Sequence, residues 1–418
     1  MKLAVIFDNF GPYHLARLQA AAGLCDLLAV EISARSAEYV WRNEATATTF
    51  RRLTILEENS NGANATQELL QRLDRTLSQF QPEAVAVPGW SSRAAFGALR
   101  WCADAGVPAI TMSESTTWDE QRLGWKEWIK RRLVRLCSSA LVGGSPHRDY
   151  MLQLGMPDDR VFLGYDAVDN EYFATKTEAL RHQRTEVRKK YGLPEHYFLA
   201  SARFIEKKNL PRLLQAYARY RALCQKSEGR SQGSEISSKS DVRPLSAGVW
   251  HLVILGDGPL KSDVCRLVSE LSLQDCVLLP GFKQYPDLPA YYGLASAFIH
   301  ASTTEQWGLV VNEAMASGLP VLVSNRSGCA VDLVQEGQNG FTFDPNDFEA
   351  LAKLMLRLTQ SPAAQLTEMG DASREIIADW ATNRFAAGLR AAAECALKVG
   401  PKRAGLFERL LLTALIHR

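Results

Sequence analysis

Short apolar runs recur along this chain, separated by longer stretches with helical spacing. In the first half, apolar runs at 3–7, 27–32, 53–56, 84–87, 108–112, 140–142 and 161–163 predict strands. Between them, 15–24, 66–80, 93–105, 121–137 and 146–155 predict helices. Alternation of this kind predicts a parallel sheet with helices on both faces, because each crossover helix lies over the sheet. The second half repeats the pattern. A charged helix over 181–191 stops at Gly192-Leu193-Pro194. Strands follow at 198–202, 250–255, 277–279, 297–301 and 320–324, with helices at 210–223, 260–271, 288–295 and 309–317. The segment 226–248 is rich in Ser, Gly and charge and reads as a flexible surface loop inserted within the second domain.

Composition narrows the function classes. The chain has 418 residues, enough for two domains with their own cores, and 46% are hydrophobic. A net charge of +2 does not point to nucleic acid as a partner. The eight cysteines are scattered without metal-ligand spacing and read as reduced thiols of a cytoplasmic protein. The first residues form a short apolar run ending in Asp8, which reads as a strand rather than a signal peptide. No run reaches the length of a membrane span.

Chemistry concentrates where strands end. After the strand at 297–301, a polar loop reaches Gly308, and a helix follows until Gly318 and Pro320. Free N–H groups and the helix dipole make such a start an anion site. Glu305 and Glu313 flank it. Carboxylates repel phosphate but accept hydrogen bonds from hydroxyl pairs, so a ligand with central phosphates and terminal diols, a nucleotide sugar, fits. After the strand at 198–202 come Arg203 and Lys208, whose bidentate fork and point charge suit a diphosphate. Gly11 follows the first strand, where an open sheet faces its ligand crevice, and His14 and Arg17 follow on the next helix.

At these residues the chain resembles glycosyltransferase family 4, the retaining GT-B sugar transferases. Glu305 and Glu313 have that family's Glu-x7-Glu spacing, and Arg203 and Lys208 its diphosphate-binding spacing, with Asn209 where glycine is usual. Gly256-Asp257-Gly258-Pro259, the turn with Phe282 and Lys283, 336–341 and 344–347 follow in family order. The segments 164–173 and 326–334 match in part, with Cys329 and Asp332 replacing a Gly and a Glu. The resemblance implies an α/β fold of two Rossmann-like domains facing across a cleft: an acceptor-side domain at 1–168, a donor domain at 174–377, and helices at 378–418 crossing back to the first.

It further implies transfer of a sugar, with retention, from a nucleotide-diphosphate sugar to a glycan or glycolipid acceptor in cell-surface polysaccharide or glycoconjugate synthesis. A UDP-sugar is the first expectation for the donor. Catalytic roles fall to Glu305, Arg203 and Lys208. Donor contacts fall to Gly11, Gly256, Phe282, Lys283, Gly308, Leu309 and Glu313, and acceptor-side roles to His14 and Arg17. No Asp-x-Asp motif is evident, so neither a metal nor a cofactor is expected. Two other readings are a nucleotide-sugar epimerase of the same fold and a non-catalytic sugar-nucleotide-binding protein.

Two amphipathic segments mark a candidate contact with the cytoplasmic face of a membrane. The helix over 121–137, from Gln121 to Cys137, groups Trp125, Ile129, Leu133 and Leu136 on one face among basic residues. The tail over 402–418, from Lys402 to Arg418, sets Leu406, Phe407, Leu410, Leu411, Leu415 and Ile416 among Lys402, Arg403, Arg409 and Arg418. Aromatic and basic residues on amphipathic helices suit an anionic interface. Packing of both segments on the body of the first domain is the other reading.

Overall fold

The structure is a computed structural model that describes residues 1–34, 48–56, 63–231 and 248–417. Two compact units emerge: Met1–Asp169 with Trp380–Arg418, and Asn170–Asp379.

The first unit holds a parallel sheet of β1 (Lys2–Phe7), β2 (Asp26–Ser33), β3 (Arg51–Leu56), β4 (Ala84–Pro88), β5 (Ala109–Ser113), β6 (Ser139–Val142) and β7 (Val161–Leu163). Their order is β3-β2-β1-β4-β5-β6-β7. Because strand side chains alternate, β1 feeds two cores. Ala4 and Ile6 join Leu73, Leu77 and Leu99 on one face, whereas Leu3, Val5 and Phe7 join Phe385 and Leu389 on the other. Burial on both faces explains why the strands read as unbroken apolar runs. Phe385 and Leu389 lie on the helix Thr382–Val399, which is rich in small residues. A Cβ at Gly388 would fall 2.5 Å from the Leu163 carbonyl oxygen, so this helix approaches the sheet closely. The last helix, Leu406–Ile416, gives Leu412 and Ile416 to the opposite face.

The second unit holds β8 (Tyr197–Ser201), β9 (His251–Leu255), β10 (Val277–Gly281), β11 (Ala297–His300), β12 (Val321–Ser324) and β13 (Gly340–Phe343), in the order β10-β9-β8-β11-β12-β13. All pairings are parallel, and the core is separate from those of the first unit.

Several elements differ from the sequence reading. A helix Asn170–Arg181 starts inside the stretch read as a linker; its buried residues are only Phe173 and Thr177, so it shows little apolar period. The helix beginning at Leu210 runs to Ser231, so residues 226–231 are helical rather than loop, and 232–247 lie outside the described residues. The helix expected over 121–137 spans only Gly124–Val134. Its expected face divides: Leu133 and Leu136 are buried and Ile129 packs against them, but Trp125 is 54% exposed. Arg418 lies outside the described residues.

Candidate active site

The strand order of the second unit reverses between β8 and β11, neighbours joined in register at Ala297–Phe198 and Phe298–Leu199. In a parallel sheet the loops leaving two such strands diverge, one to each face, and open a crevice beyond their carboxyl ends. The loop after β8 carries Arg203 and Lys208, and the loop after β11 carries Glu305 and Gly308. Two motifs about a hundred residues apart in sequence therefore meet for a topological reason.

Backbone bonds fix the meeting. Thr303 N–H donates to the Lys207 carbonyl at 2.9 Å, tying one loop to the other. Glu305 N–H donates to the Arg326 carbonyl at 3.0 Å, and Gly328 N–H to the Glu305 carbonyl at 3.1 Å, so a third loop supports the second. Asn209 occupies the left-handed region at φ 58° and donates through Nδ2 to the carbonyls of Ala301 and Pro345 at 3.1 and 2.8 Å. Asparagine tolerates this backbone better than most residues, so it meets the demand a glycine would meet and adds two buried bonds.

Glu305 is the centre of the cluster. Lys208 Nζ donates to its Oε2, and Lys207 Nζ lies 3.8 Å from Oε1. Ser302 Oγ donates to Oε2 at 3.3 Å and stands 3.2 Å from His300 Nε2, which itself lies 3.5 Å from Oε2. With Ser302 donating to the carboxylate, His300 carries its proton on Nε2 and donates. Burial alone would push the Glu305 carboxyl up, but the Lys208 charge, the His300 bond and the Lys207 charge outweigh it and hold Glu305 below the usual carboxylate range. Burial lowers His300 from its ordinary value, against the pull of Glu305, so the ring favours its neutral form. Sequence reasoning passed over His300, Ser302 and Lys207. The one signal was a polar pair, His300 and Ser302, closing an otherwise apolar strand.

Gly308 precedes the helix Leu309–Ala316 at φ 112°, a conformation suited to glycine. A Cβ there would stand 3.4 Å from His300 Nε2 and 3.6 Å from Glu305 Cγ. Trp307 is buried and donates through Nε1 to Asn312 Oδ1 at 2.9 Å, pinning the loop to the helix it starts. Cys329, in the place of the second glycine of the partial motif, has φ −72°, which any residue adopts. Glu313 turns inward: it is 1% exposed, and burial, with the Glu313 charge and a bond to it, raises the Tyr292 hydroxyl far above its ordinary value.

The remaining expected donor residues lie on the loops after β9 and β10. Gly256, at φ 131°, would place a Cβ 1.8 Å from the Ala202 carbonyl oxygen, so its role here is the close approach of two loops. Phe204 N–H donates to the Asp257 carbonyl at 2.9 Å across the same contact, which braces the backbone beside Arg203. Phe282 is 38% exposed, and Lys283 Nζ lies 5.6 Å from the Tyr291 ring centre.

In the first unit, Gly11 caps the helix Pro12–Ala22 at the carboxyl end of β1, where that sheet's order also reverses. Its N–H donates to His14 Nδ1 at 3.1 Å. Burial, with Arg17 nearby, lowers His14 to about 3, so the ring is a neutral acceptor. Arg17 packs inward. It is 1% exposed, donates through Nε to the Ala167 carbonyl at 2.9 Å, and its Nη2 lies 3.9 Å from Asp166 Oδ1. It fastens the helix to the segment after β7. The acidic residue at the mouth of this crevice is Asp8, whose carboxyl burial pushes up against a bond from Ser92.

Comparison with known proteins agrees with the fold. Residues 183–376 match the family model described as "Glycosyl transferases group 1". The amylovoran biosynthesis glycosyltransferase AmsK of Erwinia amylovora is 27% identical over 219 residues, 51% of this chain and 45% of that protein. The alpha-D-kanosaminyltransferase of Streptomyces kanamyceticus is 26% identical over 239 residues, 56% of this chain and 55% of that protein. The chain thus spans about half the length of these relatives. Among solved structures, Anabaena HepE in complex with UDP and glucose superposes with a TM-score of 0.69 at 15% identity, covering 93% of this chain and 98% of that one. Residues 183–376 are therefore similar to the group 1 glycosyl transferases, in a chain whose fold is that of the GT-B glycosyltransferases.

Proposed function

We propose that this chain is a retaining glycosyltransferase of family 4 that moves a sugar from a nucleotide-diphosphate sugar, a UDP-sugar first, to a glycan or glycolipid acceptor. The observation that carries the reading is the Lys208–Glu305 contact at the β8–β11 switch point. An ionised carboxylate beside two ammonium groups is arranged for a ligand that brings both hydroxyls and negative charge. On this reading Arg203 and Lys208 take the diphosphate, with the Leu309 amide at the helix start as a further donor. Glu305 then turns its acceptor capacity to hydroxyls of the donor sugar. As the glycosidic bond to phosphate breaks, charge grows on the leaving diphosphate, and these fixed donors stabilise it. Positive charge comes from side chains and a helix end, so the reaction needs no metal. Glu313 takes the ribose diol on this reading. AmsK, named for amylovoran biosynthesis, supports a place in polysaccharide assembly, and HepE, solved with UDP, supports a uridine donor.

The test is release of nucleoside diphosphate from a panel of nucleotide sugars, with and without candidate acceptors, in excess chelator. Acceptor-dependent release that is unaffected by chelator supports the reading. Turnover without acceptor favours the epimerase reading, and no turnover with any donor the protein binds favours a binding protein.

A further inference from the structure

The two segments singled out as amphipathic meet in the folded first unit. Side chains of the helices Gly124–Val134 and Leu406–Ile416 touch: the Trp128 and Phe407 rings stand 5.4 Å apart, edge to face. Arg132 spans both, within 5.3 Å of each ring centre and 2.8 Å from Glu408 Oε1. The last helix already buries Leu412 and Ile416, so its packing duty to the domain is met. Its other face still presents Leu406, 78% exposed, Leu410, 62% exposed, and Phe407. Trp125 and Trp128 are exposed on the neighbouring helix, and Leu123 is exposed just before it. A contiguous set of large exposed apolar side chains from two elements is an interaction surface.

Its rim identifies the occupant. Arg131, Arg135 and Arg403 are exposed, Lys402 is partly so, and among the described residues none of the four makes an ion pair. The acids nearby are occupied: Glu408 by Arg132, Asp104 by Arg409 at 2.7 Å, and Glu127 by Lys130 at 3.3 Å. A two-fold dimer through this face would set uncompensated positive charge against itself. Tryptophans and leucines ringed by arginine and lysine match the headgroup boundary of a bilayer, where apolar side chains enter and cations meet anionic lipid. Among the described residues no helix is long and apolar enough to cross a membrane, so contact would be from one side.

We propose that this two-helix face docks the protein on an anionic lipid surface, with Trp125, Trp128, Leu406, Phe407 and Leu410 inserted and the arginine–lysine rim on the headgroups. The inference is independent of the donor-site reading, because it concerns the first unit and is tested without donor.

The test is sedimentation of the full chain with extruded vesicles of phosphatidylcholine alone or phosphatidylcholine with phosphatidylglycerol. Leu406→Ser with Leu410→Ser and, separately, Arg131→Glu with Arg135→Glu are compared with the wild type. These side chains are exposed, so an unchanged thermal transition certifies the fold of each variant. The wild type is expected to sediment with anionic vesicles and not with neutral ones, less so as salt rises. Each double variant is expected to lower the bound fraction about tenfold. Equal or negligible binding to both vesicle types, or variants that bind like the wild type, would overturn the proposal. It would also be overturned if the leucine variant abolished self-association of a protein that ignores vesicles, since the face would then join copies of the chain.

Discussion

Lys208 and Glu305 neutralise one another before any ligand arrives, so neither can be changed without exposing the need of the other. Lys208→Ala leaves Glu305 with Lys207 at 3.8 Å and His300 at 3.5 Å. We expect turnover to fall about a hundredfold or more, the scale for removing one fixed stabiliser of developing charge. Near-normal turnover in folded Lys208→Ala would remove Lys208 from the mechanism. A second residue-scale prediction concerns acid. His14 titrates at about 3 in the folded chain, below its ordinary 6.5. As pH falls through 6.5 the unfolded chain takes up a proton that the folded chain refuses. Its contribution to stability is therefore complete above 6.5 and is lost between there and about 3. His14→Gln keeps an acceptor for the Gly11 N–H but cannot be protonated in this range. Its melting temperature should decline less between pH 6.5 and pH 4 than that of the wild type, and parallel curves would show that His14 does not govern this acid response. Arg17 teaches the limit of reading residues singly: its charge and position after Gly11 suggested an acceptor-side role, and the fold adds a bond from Nε to Ala167 and an ion pair with Asp166, both distant in sequence.

At the scale of elements, the alternation of apolar runs foretold both sheets except the edge strand β13, because parallel strands buried on two faces leave an unbroken signature. What it could not supply was the pairing order, which depends on contacts between distant segments, and the order is what brings β8 beside β11. The helix Asn170–Arg181 escaped because it buries so few side chains, and the extension to Ser231 escaped because its last turns are polar. Turn residues were legible as markers but not as causes. Gly256 was read as a ligand contact, and the geometry gives it a further duty as a spacer against Ala202. Gly256→Ala combines a left-handed backbone with a clash against a carbonyl, so we expect a loss of about 3 kcal/mol or more in denaturant unfolding. Asn209 offers a finer test of the neighbouring turn. Asn209→Gly keeps the backbone and loses the two bonds to Ala301 and Pro345, at a cost of about 1–3 kcal/mol. Asn209→Ala loses the same bonds and strains φ, so it should be less stable than Asn209→Gly by about 1 kcal/mol. The reverse order would show that left-handed backbone strain at φ 58° does not govern this turn.

At the scale of the whole molecule, the two units have separate cores but unequal continuity. The second, Asn170–Asp379, is one uninterrupted stretch, and its core draws on residues from Phe198 to Met369. It also contains Arg203, Lys208, Glu305, Gly308 and Glu313. The first is completed by a segment that returns after residue 379, with Phe385, Leu389, Ala392, Ala393 and Ala396 against Leu3, Val5 and Phe7. Burying Phe385 and Leu389 alone contributes about 1.5–3 kcal/mol each, a large part of the stability of a typical domain. A fragment of residues 170–379 should therefore unfold cooperatively on its own and be stabilised by UDP. At a hundredfold excess over its dissociation constant, UDP should add about 2.7 kcal/mol. It should not transfer sugar, because the acceptor is assigned to the other unit. A chain stopped at residue 379 should retain this UDP-sensitive transition and lose the one belonging to the first unit. Calorimetry on the intact chain, the fragment and the truncated chain reads all three outcomes. If the fragment lacked a cooperative transition, or had one indifferent to UDP, the donor site would depend on more than the unit that carries its residues.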